Sequence, residues 1–73
     1  MKITYDAEAD AVYIRFNDDR PQVVTEHLSE DIAADFDQAG RLAGLEILDA
    51  SKLLGGKEVF HKIVFEDITR RRD

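Results

Sequence analysis

Residues 31–48 read DIAADFDQAGRLAGLEIL, and the spacing of apolar residues in this stretch sets the fold class. Ile32, Ala34 and Phe36 fall on one side of the backbone, and Asp31, Ala33, Asp35 and Asp37 on the other. A period of two is that of a half-buried strand, because successive side chains leave opposite faces of a sheet. The letters DQAGR follow, and Gly40 can take the positive φ that a short hairpin turn requires. A second run, RLAGLEIL, then places Leu42 and Leu48 on one side and Leu45 and Ile47 on the other, with Glu46 as the polar interruption. A strand apolar on both sides is expected at the centre of a sheet or covered twice.

Beyond this hairpin the chain reads DASKLLGG over 49–56. The Asp49 carboxylate is placed to accept the backbone N–H groups of Ser51 or Lys52, so it is expected to cap a short helix running through Leu54. Gly55 or Gly56 then closes that helix in a left-handed conformation. Toward the N-terminus, VVTEHL (23–28) puts Val24, Glu26 and Leu28 on one face and forms a hairpin with 32–36. KITY (2–5) and AVYIRF (11–16) make another around the acidic turn DAEAD, with Val12, Ile14 and Phe16 sharing a face. NDDRPQ (17–22) carries turn chemistry between the two hairpins.

The tail KEVFHKIVFEDITRRRD (57–73) supports two readings. Phe60, Val64 and Ile68 recur at helical spacing, whereas Val59, His61, Ile63 and Phe65 alternate; the β-branched content favours a strand. The expected fold is α+β: an antiparallel meander of about five strands, one short helix near 49–54, and a C-terminal strand or helix. Residues 1–56 form the β-rich domain, and 57–73 pack on it or on a dimer mate. No repeat of solenoid length and no low-complexity segment occurs.

A chain of 73 residues has room for one domain, near the size at which a single core just outweighs chain entropy. At 44% hydrophobic and 36% charged, with one proline, it has the composition of a folded, soluble protein. Cysteine is absent, which excludes disulfides, thiolate zinc sites and a cysteine nucleophile, and points to a reducing cytoplasm. The apolar runs are too short to span a membrane, and MKITYDAEAD lacks the apolar stretch of a signal peptide. The formal charge of −6 is unevenly distributed: residues 1–56 hold 5 basic and 12 acidic side chains, a net of −7, and residues 57–73 hold 5 and 4, a net of +1. An acidic body is repelled by phosphate backbones and attracted to basic proteins. Nucleic-acid contact is thereby disfavoured, and the RRR at 70–72 reads as a solvated basic end.

MKITYDAEADAVYIRF and DIAADFDQAGRLAGLEILDASKLL together resemble the small bacterial family known as domain of unknown function 2283. Its members open with a lysine–aliphatic–threonine–tyrosine–aspartate strand, pass through an acidic turn into an apolar strand with a tyrosine, and end on a G-[IL]-E-[IL]-hydrophobic-[DN]-A-S run. The matching positions are Thr4, Tyr5, Asp6, Ala9, Asp10, Ala11, Tyr13, Asp35, Gly40, Gly44, Glu46, Ile47, Asp49, Ala50 and Ser51. They cover residues 1 to about 54. The resemblance implies a compact antiparallel sheet with a short terminal helix, in bacteria or archaea, and no established activity. It also implies a role beside a small basic toxin resembling messenger-RNA interferases, which would make the chain an antitoxin.

The candidate sites divide against simpler structural roles. DAEAD has alternating carboxylates like a calcium loop, but that loop needs glycine at Ala11 and a bidentate glutamate at Asn17, so it reads as an acidic turn. DFDQAG (35–40) fails similarly, since the turn accounts for Gly40. His27 and His61 are the only imidazoles and show no ligand spacing. His27 and Ser29 could pair as base and nucleophile, yet no orienting carboxylate or oxyanion element accompanies them. Glu46 needs a partner if buried, and Arg15 or Arg41 could supply it; Tyr5 and Tyr13 read as core tyrosines whose hydroxyls reach water.

No catalytic set assembles and no cofactor is called for, so the expectation is a non-enzymatic protein-binding module, antitoxin-like, working as a homodimer and masking a small basic protein. A homodimer binding a small molecule or metal through His27, His61 and the Asp-rich turns, or a purely structural protein, is the alternative. Contacts with a partner are expected at Asp35, Asp37 and Glu46 on the sheet and at Phe60, Val64 and Phe65 in the tail.

Overall fold

The computed structural model describes residues 1–17, 19 and 22–69. Part of the expected NDDRPQ turn (18, 20 and 21) and the whole RRR end (70–72) lie outside the described residues. Five strands form one antiparallel sheet: β1 (Lys2–Asp6), β2 (Ala11–Arg15), β3 (Val24–His27), β4 (Ile32–Phe36) and β5 (Leu42–Ile47). A short helix α1 (Ala50–Leu53) and a 3-10 turn over Lys57–His61 complete the α+β fold. Residues 62–69 adopt neither helix nor strand. The tail thus begins as a 3-10 helix, its phenylalanine Phe60 stacked on Tyr5 with ring centroids 4.2 Å apart.

The strand order is β1-β2-β5-β4-β3. The β3–β4–β5 meander is present, but β5 rather than β3 lies beside the β1–β2 hairpin. The reason lies in side-chain character. β5 contributes Leu45 and Ile47 and takes the centre, whereas β3, VTEH, is exposed along its whole length and takes an edge.

The register divides the sheet into two faces of opposite character. Partnered residues share a side of the sheet. One row runs Ile3, Ile14, Leu45, Ala34 and Glu26, and a second runs Tyr5, Val12, Ile47 and Ile32. On the reverse side one row runs Lys2, Arg15, Gly44, Asp35 and Thr25, and the other Thr4, Tyr13, Glu46, Ala33 and His27. The expectation that β5 is apolar on both sides needs correction. The register shifts between Asp35 and Phe36, so that Leu42 pairs with Phe36. This irregularity brings Leu42 onto the apolar side with Phe36 and Val24. The reverse face of β5 keeps Gly44 and Glu46, with Leu48, just past the strand, lining the hollow beside Glu46 and Ala33.

The turn after β4 is organised by Asp37. Its Oδ1 accepts the N–H groups of Ala39 and Arg41 at 2.9 and 2.8 Å, and its Oδ2 accepts Arg41 Nε at 2.9 Å. Those bonds fold the carboxylate inward, so Asp37, expected to point outward, is 9% exposed. Gly40 takes φ 82°, as expected, and no atom lies within 4 Å of where a Cβ would stand. Gly40→Ala is therefore expected to cost backbone strain alone, about 1–2 kcal/mol, and Gly40→Asn less, because asparagine tolerates the left-handed region. Urea denaturation of the two variants checks that order.

Candidate functional site

Two polar clusters organise the described residues, one at the end of the sheet and one on its polar face. The first centres on Asp10, the last residue of DAEAD, which takes a left-handed φ of 53°. Its Oδ1 accepts the Tyr5 hydroxyl at 2.8 Å and the Ser51 N–H at 3.1 Å, and its Oδ2 accepts the Ser51 hydroxyl at 2.7 Å. The Asp10 carbonyl also accepts the Ala50 N–H at 2.9 Å. This corrects the expected cap. Asp49 makes no side-chain cap bond and is itself left-handed, with φ 49°; the carboxylate that satisfies the first turn of α1 comes from the hairpin 41 residues away. Asp49 contributes its carbonyl instead, accepting the N–H groups of Lys52 and Leu53.

A second carboxylate of this turn, Asp6, accepts the N–H groups of Glu8 and Ala9. DAEAD therefore uses its first and last carboxylates on the protein's own donors. Ser29 is likewise engaged in its turn, where its hydroxyl oxygen accepts the N–H groups of Asp31 and Ile32. Among the described residues, no group of three or more His, Asp or Glu side chains has the geometry to hold a metal ion.

The second cluster lies on the polar face. Tyr13 crosses the Gly44 position and donates its hydroxyl to Asp35 Oδ2 at 2.8 Å, while Thr25 donates to Asp35 Oδ1 at 2.6 Å. A Cβ on Gly44 would overlap the Tyr13 hydroxyl, so the absent side chain is what lets the ring lie flat across β5. Glu46 stands exposed beside this cluster, with Tyr13 and Ala33 as its cross-strand neighbours. The ion pair expected from Glu46 to Arg15 or Arg41 does not form: Arg15 lies opposite Gly44, and Arg41 binds Asp37. Glu46 also lines a shallow hollow of about 20 Å³ with His27, Glu30 and Asp31.

The electrostatics follow from these contacts. The Ser51 hydroxyl, then the Tyr5 hydroxyl, hold the Asp10 carboxyl below the usual carboxylate range, against a smaller opposing effect of desolvation. The same bond to Asp10, with desolvation, raises Tyr5 above an ordinary phenol. Tyr13 is raised chiefly by desolvation and then by its bond to Asp35. Asp37 is lowered, first by the Arg41 N–H. Both tyrosines are therefore held as neutral donors to carboxylates, an arrangement that orients charge.

Of the residues expected to meet a partner, Asp35 and Glu46 come together on the polar face, Asp37 is folded into its turn, Phe60 is half-buried on Tyr5, and Val64 and Phe65 are exposed. Sequence reasoning missed the roles of Asp10 and Gly44. The sequence offers the single serine Ser51 two aspartates that close acidic segments, Asp49 beside it and Asp10 41 residues away, and spacing along the chain points only to the first.

The chain matches, over residues 2–51, the model of the family described as protein of unknown function (DUF2283). It belongs to that family. No curated protein and no solved structure matches it. The DUF2283 span begins at the first residue of β1 and ends at Ser51, the residue held by Asp10. The residues that carry the resemblance sort into the two clusters, Tyr5, Asp10 and Ser51 in one and Tyr13, Asp35 and Gly44 in the other. Among the described residues of this DUF2283 chain, no helix is long and apolar enough to cross a membrane.

Two outcomes follow. Asp10 has a folded-state pKa below its unfolded value, so its contribution is present above the unfolded carboxylate pKa of about 4 and is lost as pH falls through the lower folded value. Asp10→Asn should lower the urea midpoint at pH 7, and its gap to wild type should narrow below about pH 4; the lowered Asp37 keeps part of the acid dependence in the variant. Gly44→Ala should cost about 1–3 kcal/mol by displacing the Tyr13 ring. In a Tyr13→Ala background that cost should fall, and a double-mutant cycle by denaturation reads the coupling.

Proposed function

We propose that this chain is a non-enzymatic protein-binding module whose polar sheet face receives a small basic protein, in the manner of an antitoxin. The observation that carries this reading is the separation of polar from apolar side chains by the register, with Lys2 and Arg15 toward the β1–β2 end of the polar face and the carboxylates on β4 and β5. Asp35 and Glu46 stand on adjacent central strands, with Glu30 and Asp31 beside them, on a body of 5 basic and 12 acidic side chains. Asp35 is fixed by two hydroxyl donors, so its charge is presented in one orientation and costs little further ordering on binding. Beside Glu46 this face has a hollow of about 20 Å³, with room for about one water. An open cleft of about 490 Å³ lies apart from it at the Asp37 turn, lined by Gln22, Gln38 and Arg41. A strand face presenting Asp35 and Glu46 suits the lysines and arginines of a protein partner.

Charge complementarity of this kind is screened by salt. Immobilised full-length chain incubated with extract of its native cell should capture one small basic protein at low salt and release it at moderate salt. Glu46→Lys, at an exposed position, should abolish capture with an unchanged far-UV circular dichroism spectrum. Capture that ignores both salt and Glu46→Lys would place binding elsewhere, and no capture would sink the reading.

A further inference from the structure

The opposite face of the same sheet carries a separate inference. Ile3, Ile14, Leu45 and Ala34 line one row, Val12, Ile47 and Ile32 the next, and Leu42, Phe36 and Val24 the edge beyond the register shift. A sheet with one apolar face is stable only when another layer covers it. In the single chain that layer is partial: Phe60 stacks on Tyr5 at one end of the face, where Val12 is buried, but Ile3, Leu42 and Val24 stay exposed, and the extensive contacts between elements are strand to strand. Among the described residues no large side chain is fully buried, and the buried apolar residues are Val12 and four alanines.

The surface area measures the deficit. A folded monomer of this mass exposes about 4,600 Å², whereas this chain exposes 6259 Å². The excess of roughly 1,700 Å² is a whole-chain figure, and it leaves ample surface for the approximately 800 Å² that each partner contributes to a standard interface. Part of it belongs to residues 62–69, where Ile63, Val64, Phe65 and Ile68 are exposed, Phe65 to 86%.

We propose that the apolar face packs on the same face of a second copy, and that the segment 62–69 lies within that interface. Charge placement selects the occupant. On the strands, the apolar face carries one ionised side chain, Glu26, at its edge, while Asp6, Asp35 and Glu46 project from the reverse side. A basic partner gains little on a face whose one strand carboxylate, Glu26, stands at its edge. Two acidic copies can meet there with the other strand carboxylates directed outward and Lys62, Glu66 and Asp67 of the segment at the rim. A flat apolar sheet is also self-complementary under a two-fold axis, and two such sheets pack face to face at about 10 Å. The dimer leaves both polar faces free, so this inference stands independently of the basic partner.

Sedimentation equilibrium of the full-length chain tests it. The expected mass is twice 8.3 kDa, insensitive to salt, because apolar contacts are not screened. Val24→Glu and Phe65→Glu alter side chains that are exposed in the single chain, at 67% and 86%, so a folded monomer tolerates both. Each is expected to raise the dimer dissociation constant by at least about a hundredfold, by burying a carboxylate in an apolar contact. Far-UV circular dichroism should retain the β-sheet signal. A wild-type mass of 8.3 kDa would overturn the proposal, including the case in which residues 62–69 fold back on their own sheet. A dimer unmoved by Val24→Glu would overturn the assigned face, and one unmoved by Phe65→Glu would overturn the place of the segment. Loss of basic-protein capture with the dimer intact would count against the polar-face reading alone.

Discussion

The carboxylate of Asp10 joins the first hairpin to the start of α1 across 41 residues, and the ordering of the chain after β5 depends on it. Helix α1 is four residues long, too short to hold itself by intrahelical bonds, so its first N–H groups need external acceptors. Asp10 supplies three: its carbonyl to Ala50 and both carboxylate oxygens to Ser51. The geometry is reached only because Asp10 is left-handed, a conformation aspartate tolerates better than most residues. Tyr5 completes the carboxylate's partners and stacks on Phe60, so the same tyrosine ties α1 and the 3-10 turn to β1. Ala50, entirely buried, sits where the chain turns against this lock, which leaves no room for a larger side chain.

The second constraint is the irregularity between β4 and β5. A one-residue slip in a strand moves side chains to the opposite face, and here the slip falls at Asp35 and Phe36. It carries Leu42 to the apolar side and leaves Gly44 beneath Tyr13. The outcome is a sheet with its apolar side chains on one face and its fixed carboxylates on the other. The two faces differ in their response to salt, because charge pairing is screened and apolar burial is not.

Tyr13 and Asp35 form the most tightly bonded part of the polar face. A tyrosine raised by desolvation and by a neighbouring carboxylate stays protonated, and its hydroxyl with that of Thr25 holds the Asp35 carboxylate in one orientation. The cluster fixes where negative charge stands on the sheet.

What the sequence determined by itself was local: the period of two in 2–5, 11–16, 32–36 and 42–47, the turn at Gly40, and the helix closed by Gly55, whose φ is 95°. Each follows from a physical preference acting within a few residues. The tertiary structure alone decided which acid caps α1, because Asp49 and Asp10 are chemically alike and only the folded hairpin brings Asp10 within 2.7 Å of the Ser51 hydroxyl. It also decided that β5 sits beside β2, that Leu42 changes face, and that Glu46 faces Tyr13 instead of an arginine. These depend on strand register, which links residues distant in the chain and leaves no mark in local spacing. The tail 57–69 shows the same limit from the other side: its apolar residues fit two periodicities equally, and only Phe60, placed against Tyr5, has its surroundings settled by the single chain.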